Sequence, residues 1–262
     1  MEGSLSTPEI ITKRLTLVRL RAEDAISLHS YRREPSVSRY QSWAPATLDD
    51  TARFVEEQSM VVFDTSGTWF QFAIRLRESE LMVGDLGMRF PEDDTRQVEI
   101  GFTIAPGSQR SGLQVLRILA ARDKSAWRAI RPGAESAMPE QHWKPPATKR
   151  PAALSGRRAA PTRTFGAAAG CDGYGTEAVR GALDCLLGRL CKHRVFASVD
   201  PRNAASISLL RRVGMRQEAH FRQSLWMRGE WVDDVVFAIL KSEWDGTVRR
   251  RRGRVGRSSH CS

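Results

Sequence analysis

Apolar residues along the chain follow two different periods, which predict a mixture of strands and helices. Residues 14–20 and 97–104 alternate between apolar and polar positions, as a half-buried strand does. Residues 69–76 and 81–90 form two more predicted strands joined by a short polar turn. In 97–104 the two faces are Val98, Ile100, Phe102 and Ile104 on one side, and Glu99, Gly101 and Thr103 on the other.

Two helices are predicted in this first half of the chain. Residues 22–34 place Ala25, Leu28 and Tyr31 near one side of a helix. Thr47 and Asp50 have the spacing of a capping box, which predicts a second helix that continues to Met60.

Helical periodicity returns after residue 173. The apolar positions of the strongest amphipathic helix are Ala178, Val179, Ala182, Leu183, Leu186, Leu187 and Leu190. A strand at 194–199 follows, and then a helix at 203–213 that Gly214 closes in the left-handed conformation. Residues 215–227 and 230–241 predict a final strand pair around Arg228 and Gly229. This order of elements predicts an α+β fold.

A basic segment interrupts the pattern and defines the predicted organisation. Residues 107–170 are rich in Arg, Ala and Pro, and only 113–129 could form a short helix. Such a composition predicts a long disordered insertion. The predicted parts are residues 8–106, the insertion 107–172, the second half of the domain at 173–245, and a basic tail at 246–262.

The net charge of +11 lies in two appendages. Residues 107–170 carry a net +9 and residues 246–262 a net +6, so the remainder carries −4. A nucleic-acid-binding body needs a basic face, which this distribution does not predict. No apolar run is long enough to span a bilayer, so no membrane is expected. The four cysteines include no CxxC pair and are read as reduced thiols, which indicates the cytoplasm.

The most specific motif is divided by the insertion. Gln109, Arg110, Ser111 and Gly112 stand before it, and Gly173, Tyr174, Gly175 and Thr176 stand after it. With residues 113–173 set aside, a strand leads through the glycine-rich sequence QRSGYG into the amphipathic helix. Small residues at a helix N-terminus let backbone N–H groups approach an anion such as a phosphate. A genuine insertion, a retained intron and a gene-model error all remain compatible with this sequence.

Two further segments complete a family resemblance. They are the run from Asp200 to Met215, with Asn203 and Ser206 at its start, and the run from His220 to Trp244. Together with the joined QRSGYG motif, they resemble the GNAT superfamily of acetyltransferases, and in particular the branch that acetylates the N-termini of ribosomal proteins. The resemblance covers residues 14–106 and 173–244. It implies a mixed, mostly antiparallel seven-stranded sheet flanked by helices and splayed between its fourth and fifth strands.

The resemblance also implies site residues and acetyl-CoA as the co-substrate, without a metal. Glu99 would be the general base and Ser206 would protonate the leaving thiolate, since Leu210 stands where many relatives have a tyrosine. The backbone of Phe102, Thr103 and Ile104 would pair with pantetheine, the side chain of Asn203 would contact it, and Gln109–Gly112 with Gly173–Thr176 would hold the pyrophosphate. Alternatively, Glu99 is an ordinary surface carboxylate, and Asn203 and Ser206 are only a helix cap and a first-turn residue.

The sequence therefore predicts an N-acetyltransferase that acts on a primary amine, either a protein N-terminus or a small amine. A monomer or a homodimer is expected, without nucleic acid as a partner. The alternative is an inactive GNAT-like scaffold whose basic arms contact nucleic acid.

Overall fold

The computed structural model describes residues 7–41, 43–108, 173–227 and 229–245, which form one eight-stranded sheet with helices packed against both faces. The strands are β1 (Ile10–Ile11), β2 (Leu15–Arg19), β3 (Trp69–Leu76), β4 (Met82–Arg89), β5 (Gln97–Ile104), β6 (Arg194–Val199), β7 (Arg216–Met227) and β8 (Glu230–Leu240). Their order in the sheet is β1-β2-β3-β4-β5-β6-β8-β7. Neighbouring strands are antiparallel except β5 and β6, which are parallel. The predicted fold is thereby confirmed.

The sheet has eight strands where seven were expected. The additional strand is β1, in which Ile10 and Ile11 pair with Leu17 and Thr16 of β2. Two residues are too few to show an alternating pattern, so the sequence does not predict this strand. Burial of Ile10, which is 3% exposed, fixes the strand against the sheet.

The helices are α1 (Asp24–Arg32), α2 (Pro35–Ser38), α3 (Leu48–Met60), α4 (Tyr174–Leu183) and α5 (Ala204–Val213). The predicted helix 22–34 is shorter, because the chain leaves it after Arg32 and starts α2 with Pro35 in the first turn. The capping box of α3 is confirmed. The Thr47 hydroxyl accepts from the Asp50 N–H at 3.1 Å, and the Asp50 carboxylate accepts from the Thr47 N–H at 2.9 Å.

The amphipathic helix after residue 173 is present, but it changes from an α-helix to a π-helix along its length. After α4 ends at Leu183, residues Asp184–Arg189 continue as a π-helix. The N–H of Leu190 then donates to the carbonyl oxygen of Cys185 at 2.9 Å, a spacing of five residues. The periodicity of apolar residues does not distinguish this wider turn from an α-helix.

Two apolar clusters lie on opposite faces of the sheet. The larger one joins α4 to the apolar side of β5, where Val98 and Ile100 are buried. The smaller one joins α1 and α3 to β3 and β4, with Leu28, Val55 and Ala73 among its buried members. The residues of β5 that alternate with Val98 and Ile100 therefore face the side on which α1 and α3 pack.

A buried charged group links α1 to the sheet. The Asp85 side chain on β4 is fully buried and accepts hydrogen bonds from Tyr31, at 2.6 Å, from Arg32 and from Gln71. Burial and the neighbouring Asp85 carboxylate raise the pKa of Tyr31 well above its ordinary value, so its hydroxyl stays a donor. The charge of Arg32 compensates that of Asp85 in a place from which water is excluded.

Several predictions from the sequence lie outside the described residues. They are the disordered insertion beyond Ser108, its short helix at 113–129, the half-motif Gln109–Gly112, and the basic tail at 246–262. Among the helices in the described ranges, none is long and apolar enough to cross a membrane.

We expect Asp85→Asn to lower the free energy of unfolding by about 3–5 kcal/mol, because it leaves the buried charge of Arg32 without its counter-charge. The matched control is Asp245→Asn, which removes a half-exposed ion pair with Lys241 and should cost less than about 1 kcal/mol. Urea denaturation followed by circular dichroism measures both. Equal effects of the two substitutions would contradict a stabilising role for the buried pair.

Candidate active site

The central feature of the site is the divergence of β5 and β6. The two strands pair only from Gln97 to Glu99 on β5 and from Arg194 to Phe196 on β6. β5 continues to Ile104 beside β4, and β6 continues to Val199 beside β8. The far end of β5 therefore has no strand partner on its β6 side within the described ranges, which confirms the expected splay. Unpaired backbone groups at such an edge are available to a ligand with amide groups of its own.

Glu99 lies where the pairing of β5 and β6 ends. Its side chain is 15% exposed, and its Oε2 accepts a hydrogen bond from Nη1 of Arg89 at 3.1 Å. Burial raises the pKa of Glu99, although the hydrogen bond and charge of Arg89 oppose the shift. Glu99 is therefore a partly buried, ion-paired carboxylate and not the freely solvated one that was the alternative.

An indole ring covers the sheet next to Glu99. A Cβ on Gly87 would lie 2.4 Å from the ring of Trp69, and one on Gly101 would lie 3.4 Å from it. The two glycines are opposite each other on β4 and β5, so both leave room for this ring. The Trp69 Nε1 donates to Gln71 at 2.7 Å, which fixes the ring orientation.

Thr103 provides an unused polar atom at the unpaired end of β5. Thr103 is 6% exposed, and its hydroxyl oxygen Oγ1 is buried without a hydrogen-bond partner in the described part of the chain. It lies opposite Asp85 on β4. A buried hydroxyl without a partner costs free energy, and such atoms occur where a ligand or water completes the structure.

The N-terminus of α4 fits an anionic group. Gly173 is its N-cap and supplies no side-chain hydrogen bond, so in the part of the chain that the structure describes no side chain caps the first backbone N–H groups of the helix. A Cβ on Gly175 would lie 2.8 Å from Leu209 and 3.2 Å from Ile104. Gly175 thus lets the first turn of α4 approach both the end of β5 and α5, which brings two predicted site segments together.

Side chains that sequence reasoning missed fix this first turn. Glu177 accepts from Thr12 Oγ1 at 2.7 Å and from the backbone N–H and Nε of Arg14 at 2.6 Å each. Burial alone would raise the pKa of Glu177, but these hydrogen bonds outweigh it and lower the pKa. The guanidinium of Arg14 also lies 4.8 Å from the ring centroid of Tyr174. No sequence motif relates residues 12–14 to 177, because the contact depends on β1.

A second contact joins α4 to α5. The Thr176 hydroxyl accepts from Nη1 of Arg212 at 3.1 Å. This contact was also missed from sequence, because it spans 36 residues and involves an ordinary surface arginine. It places a cationic side chain beside the first turn of α4.

Asn203 and Ser206 occupy the start of α5. The Asn203 Oδ1 accepts from the N–H of Ser206 at 3.1 Å, so Asn203 is the N-cap of the helix. Within the described ranges its amide nitrogen donates to no other residue, and the Ser206 hydroxyl has no hydrogen bond. Asn203 is therefore confirmed as the N-cap of α5. Its amide nitrogen can still donate a hydrogen bond to a ligand.

A buried carboxylate on β8 was also missed. Asp234 is 9% exposed, and its Oδ1 accepts from the Ser198 hydroxyl of β6 at 2.5 Å. Burial raises the pKa of Asp234, although the hydrogen bond from Ser198 opposes the shift. It has no ion pair within the described part of the chain. The signal in the sequence is the acidic pair Asp233 and Asp234 inside the otherwise apolar run 232–240.

The predicted site residues thus fall into two groups. The structure brings Ile104, Gly175 and α5 together, and it places Glu99 where β5 and β6 separate. Gln109–Gly112 lie outside the described residues, so their position beside Gly173 stays a prediction. In the described ranges, no group of three or more His, Cys, Asp or Glu side chains could hold a metal ion.

Comparison with protein-family models gives one match, described as an acetyltransferase (GNAT) domain, over residues 14–123 and 162–216. These residues amount to more than half of the chain. The matched ranges leave 124–161 unmatched, inside the basic segment.

Curated relatives share the same assignment. The uncharacterized N-acetyltransferase p20 of Bacillus licheniformis is 23% identical over 90% of this chain and 98% of its own length. The uncharacterized N-acetyltransferase YnaD of Bacillus subtilis is 33% identical over 28% of this chain, and that alignment spans 43% of YnaD.

Solved structures show the same fold. A GNAT-family acetyltransferase of Bacillus anthracis has a TM-score of 0.59 at 18% identity and covers 90% of this chain and 100% of its own. A putative ribosomal-protein-serine acetyltransferase of Vibrio cholerae has a TM-score of 0.55 at 16% identity, covering 89% and 97%. The spermidine N-acetyltransferase of Vibrio cholerae, in complex with CoA and spermine, has a TM-score of 0.56 at 15% identity, covering 88% and 98%.

Substitutions at Asn203 separate its capping role from a ligand contact. Asn203→Ser keeps a side-chain oxygen for the cap, so the free energy of unfolding should change by less than about 0.5 kcal/mol. It removes the amide donor, so the Kd for acetyl-CoA should rise about three- to tenfold, the loss of one neutral hydrogen bond. Asn203→Ala should show the same weaker binding and lose about 1 kcal/mol of stability. Calorimetry and urea denaturation measure the two effects. If Asn203→Ser bound acetyl-CoA with wild-type affinity, capping of α5 would be the one role left for Asn203.

Proposed function

The chain belongs to the GNAT family of acetyltransferases, and we propose that it transfers the acetyl group of acetyl-CoA to a primary amine on a small cationic molecule. The observation that supports this most directly is the early separation of β5 from β6, with Glu99 at the point of separation. Acetyl-CoA is the donor that this family uses.

The described residues fit acetyl-CoA in three places. The backbone of Phe102, Thr103 and Ile104 lies beyond the point where β5 and β6 separate, and it would pair with the amide groups of pantetheine. The uncapped first turn of α4, from Gly173 to Thr176, would hold the pyrophosphate with backbone N–H groups. The free amide of Asn203 would add a donor from α5. Gln109, Arg110, Ser111 and Gly112 would complete the phosphate loop.

Glu99 is proposed as the general base. An amine in water carries a proton at neutral pH, which it must lose before its lone pair can attack a carbonyl carbon. A carboxylate whose pKa is raised by burial is a better proton acceptor than one in water. Glu99 would take this proton, directly or through one water molecule.

The remaining proton and charge are handled at the end of β5 and at α5. As the amine nitrogen bonds to the carbonyl carbon, negative charge moves to the carbonyl oxygen, where a free backbone N–H of β5 would stabilise it. The carbon–sulfur bond then breaks. The amine nitrogen, positively charged after the attack, loses its second proton to solvent, while Ser206 would donate a proton to the thiolate and regain one from solvent. Once Glu99 also releases its proton to solvent, an ammonium group and acetyl-CoA have given an amide, a free thiol and one proton in solution.

Negative charge on the open side of the site supports a cationic acceptor. Glu99 and Asp234 are partly or fully buried carboxylates, and Asp200 stands at the end of β6. Glu99 is paired with Arg89 and Asp200 with Arg202, whereas Asp234 has no cation beside it in the described ranges and supplies the uncompensated charge. Carboxylates withdrawn from water attract cationic ligands strongly. Some structures with this fold are of spermidine N-acetyltransferases, which supports the same acceptor class.

A protein N-terminus is the second candidate acceptor. The relevant feature is the hairpin of β7 and β8, which exposes Phe221, Trp226 and Trp231. The rings of Trp226 and Trp231 pack with centroids 5.4 Å apart. Exposed aromatic pairs are common where proteins bind peptides. Similarity in fold to a putative ribosomal-protein-serine acetyltransferase supports this acceptor as well.

Replacement of the proposed base tests the chemistry. We expect Glu99→Gln to lower kcat about 10²- to 10⁴-fold, the usual contribution of a general base, while the Kd for acetyl-CoA stays unchanged. The matched control is Glu78→Gln, because Glu78 is an exposed carboxylate in the turn between β3 and β4. Thiol release from acetyl-CoA measures turnover. A fully active Glu99→Gln enzyme would exclude Glu99 as the base.

A comparison of acceptors tests the substrate class. The kcat/KM should be at least about tenfold higher for a diamine than for a monoamine of the same chain length, because the second ammonium group gains an ion pair in a partly buried site. Peptides with free N-termini provide the third arm. Turnover of peptides but of neither amine would replace the small-amine proposal with the N-terminal one and leave acetyl transfer itself intact.

A further inference from the structure

The Glu99 carboxylate is paired with Arg89 of β4 on one side of β5, and on the other side, beyond β6, β8 carries the buried carboxylate of Asp234. We propose that Arg89 and Asp234 are positioning residues that act on Glu99 from opposite sides, Arg89 stabilising its ionised form and Asp234 destabilising it. The inference rests on the proposed function, since it concerns how the proposed base is kept ready to accept a proton.

Arg89 is placed by the register of the sheet. It lies directly opposite Glu99 in the antiparallel pairing of β4 and β5, and opposite Trp69 of β3 on its other side. The Arg89 and Glu99 side chains are 24% and 15% exposed, and Nη1 lies 3.1 Å from Oε2. A charge–charge interaction this short and largely out of water is much stronger than one on the surface. The guanidinium therefore opposes protonation of the carboxylate.

Asp234 acts across β6. Phe196 is the β6 residue opposite Glu99, and Ser198, two residues further along the same face, donates its hydroxyl proton to Asp234. This hydrogen bond fixes the Asp234 carboxylate, which is buried and has no counter-cation among the described residues. Its negative charge repels that of Glu99 and raises the pKa of Glu99. The effect is smaller than that of Arg89.

Together the two residues keep Glu99 ionised but basic. The charged groups that act on Glu99 in the described ranges are Arg89 from β4 and Asp234 from β8. Burial and Asp234 raise the proton affinity of the carboxylate, so that it can take a proton from an ammonium group. Arg89 limits this increase and favours the ionised carboxylate, which is the form that can accept a proton. Loss of Arg89 should raise the pH at which Glu99 becomes active as a base, and loss of Asp234 should lower it.

The pH dependence of kcat/KM for the full chain tests the inference. With Arg89→Gln, the acidic limb of the profile should move to higher pH by about one unit, since an opposite charge is lost next to the carboxylate. Arg89→Lys keeps the charge and should leave the limb near its wild-type position. With Asp234→Asn, the limb should move to lower pH by a smaller amount. The double variant should lie between the two single variants.

The outcomes separate the inference from the proposed function. Uniform loss of activity at every pH in Arg89→Gln, with the limb unmoved, would mean a structural role and overturn the inference. If Arg89→Gln does not fold, the pH profiles of Arg89→Lys and Asp234→Asn test the inference instead. An acidic limb that does not move in Asp234→Asn would then overturn it. Full activity and an unchanged limb in Glu99→Gln would instead remove the base on which the proposed mechanism depends. Retained affinity for acetyl-CoA shows that the site is intact in each variant.

Discussion

The short parallel pairing between β5 and β6 is the constraint on which the rest of the site depends. It ends at Glu99, and beyond this point β4 is the one strand that pairs with β5 in the described ranges. Within the described ranges, the stretch from Gly101 to Ile104 therefore has no strand beside it on the side from which β6 has diverged. The first turn of α4 can approach the end of this edge because Gly175 has no side chain that would clash with Ile104 and Leu209. The separation of the two strands thus leaves an open edge of β5, with the Glu99 carboxylate where it begins and the first turn of α4 near Ile104, where it ends.

Buried polar groups fix the elements that surround the open edge of β5. On one face, Asp85 ties α1 to β4 through Tyr31 and Arg32, next to the unpaired end of β5. At the phosphate end, Glu177 ties the first turn of α4 to residues 12–14. Pairs of this kind contribute little net stability compared with apolar residues of the same size, but they fix one geometry because any other leaves a charge uncompensated. The site is thereby preorganised for its ligand.

The fold could be predicted largely from sequence, and the site only in part. Long amphipathic segments, the capping box at Thr47 and the left-handed Gly214 are local signals, and each predicts its element correctly. Strand β1 and the π-helical turn after Leu183 have no such signal, because the first is too short and the second shares the periodicity of an α-helix.

The site residues that were found stand in motifs, such as Asn203, or on a regular strand, such as Glu99. Arg89 and Asp234 were missed because their importance follows from sheet register, which relates residues ten and 135 positions from Glu99 along the chain. No local pattern carries that information. The sequence indicates the importance of Asp234 only by placing a polar residue within an apolar strand. Many such residues have no functional role.

The most direct test of the account is isothermal titration of acetyl-CoA into the full chain, with desulfo-CoA and free acetyl-pantetheine as parallel titrants. We expect saturable binding of acetyl-CoA at one site per chain, retained by desulfo-CoA and much weaker for acetyl-pantetheine, because the proposed site for the phosphates is the first turn of α4. No binding of acetyl-CoA would contradict it, and equal binding of acetyl-pantetheine would contradict the role assigned to the α4 N-terminus.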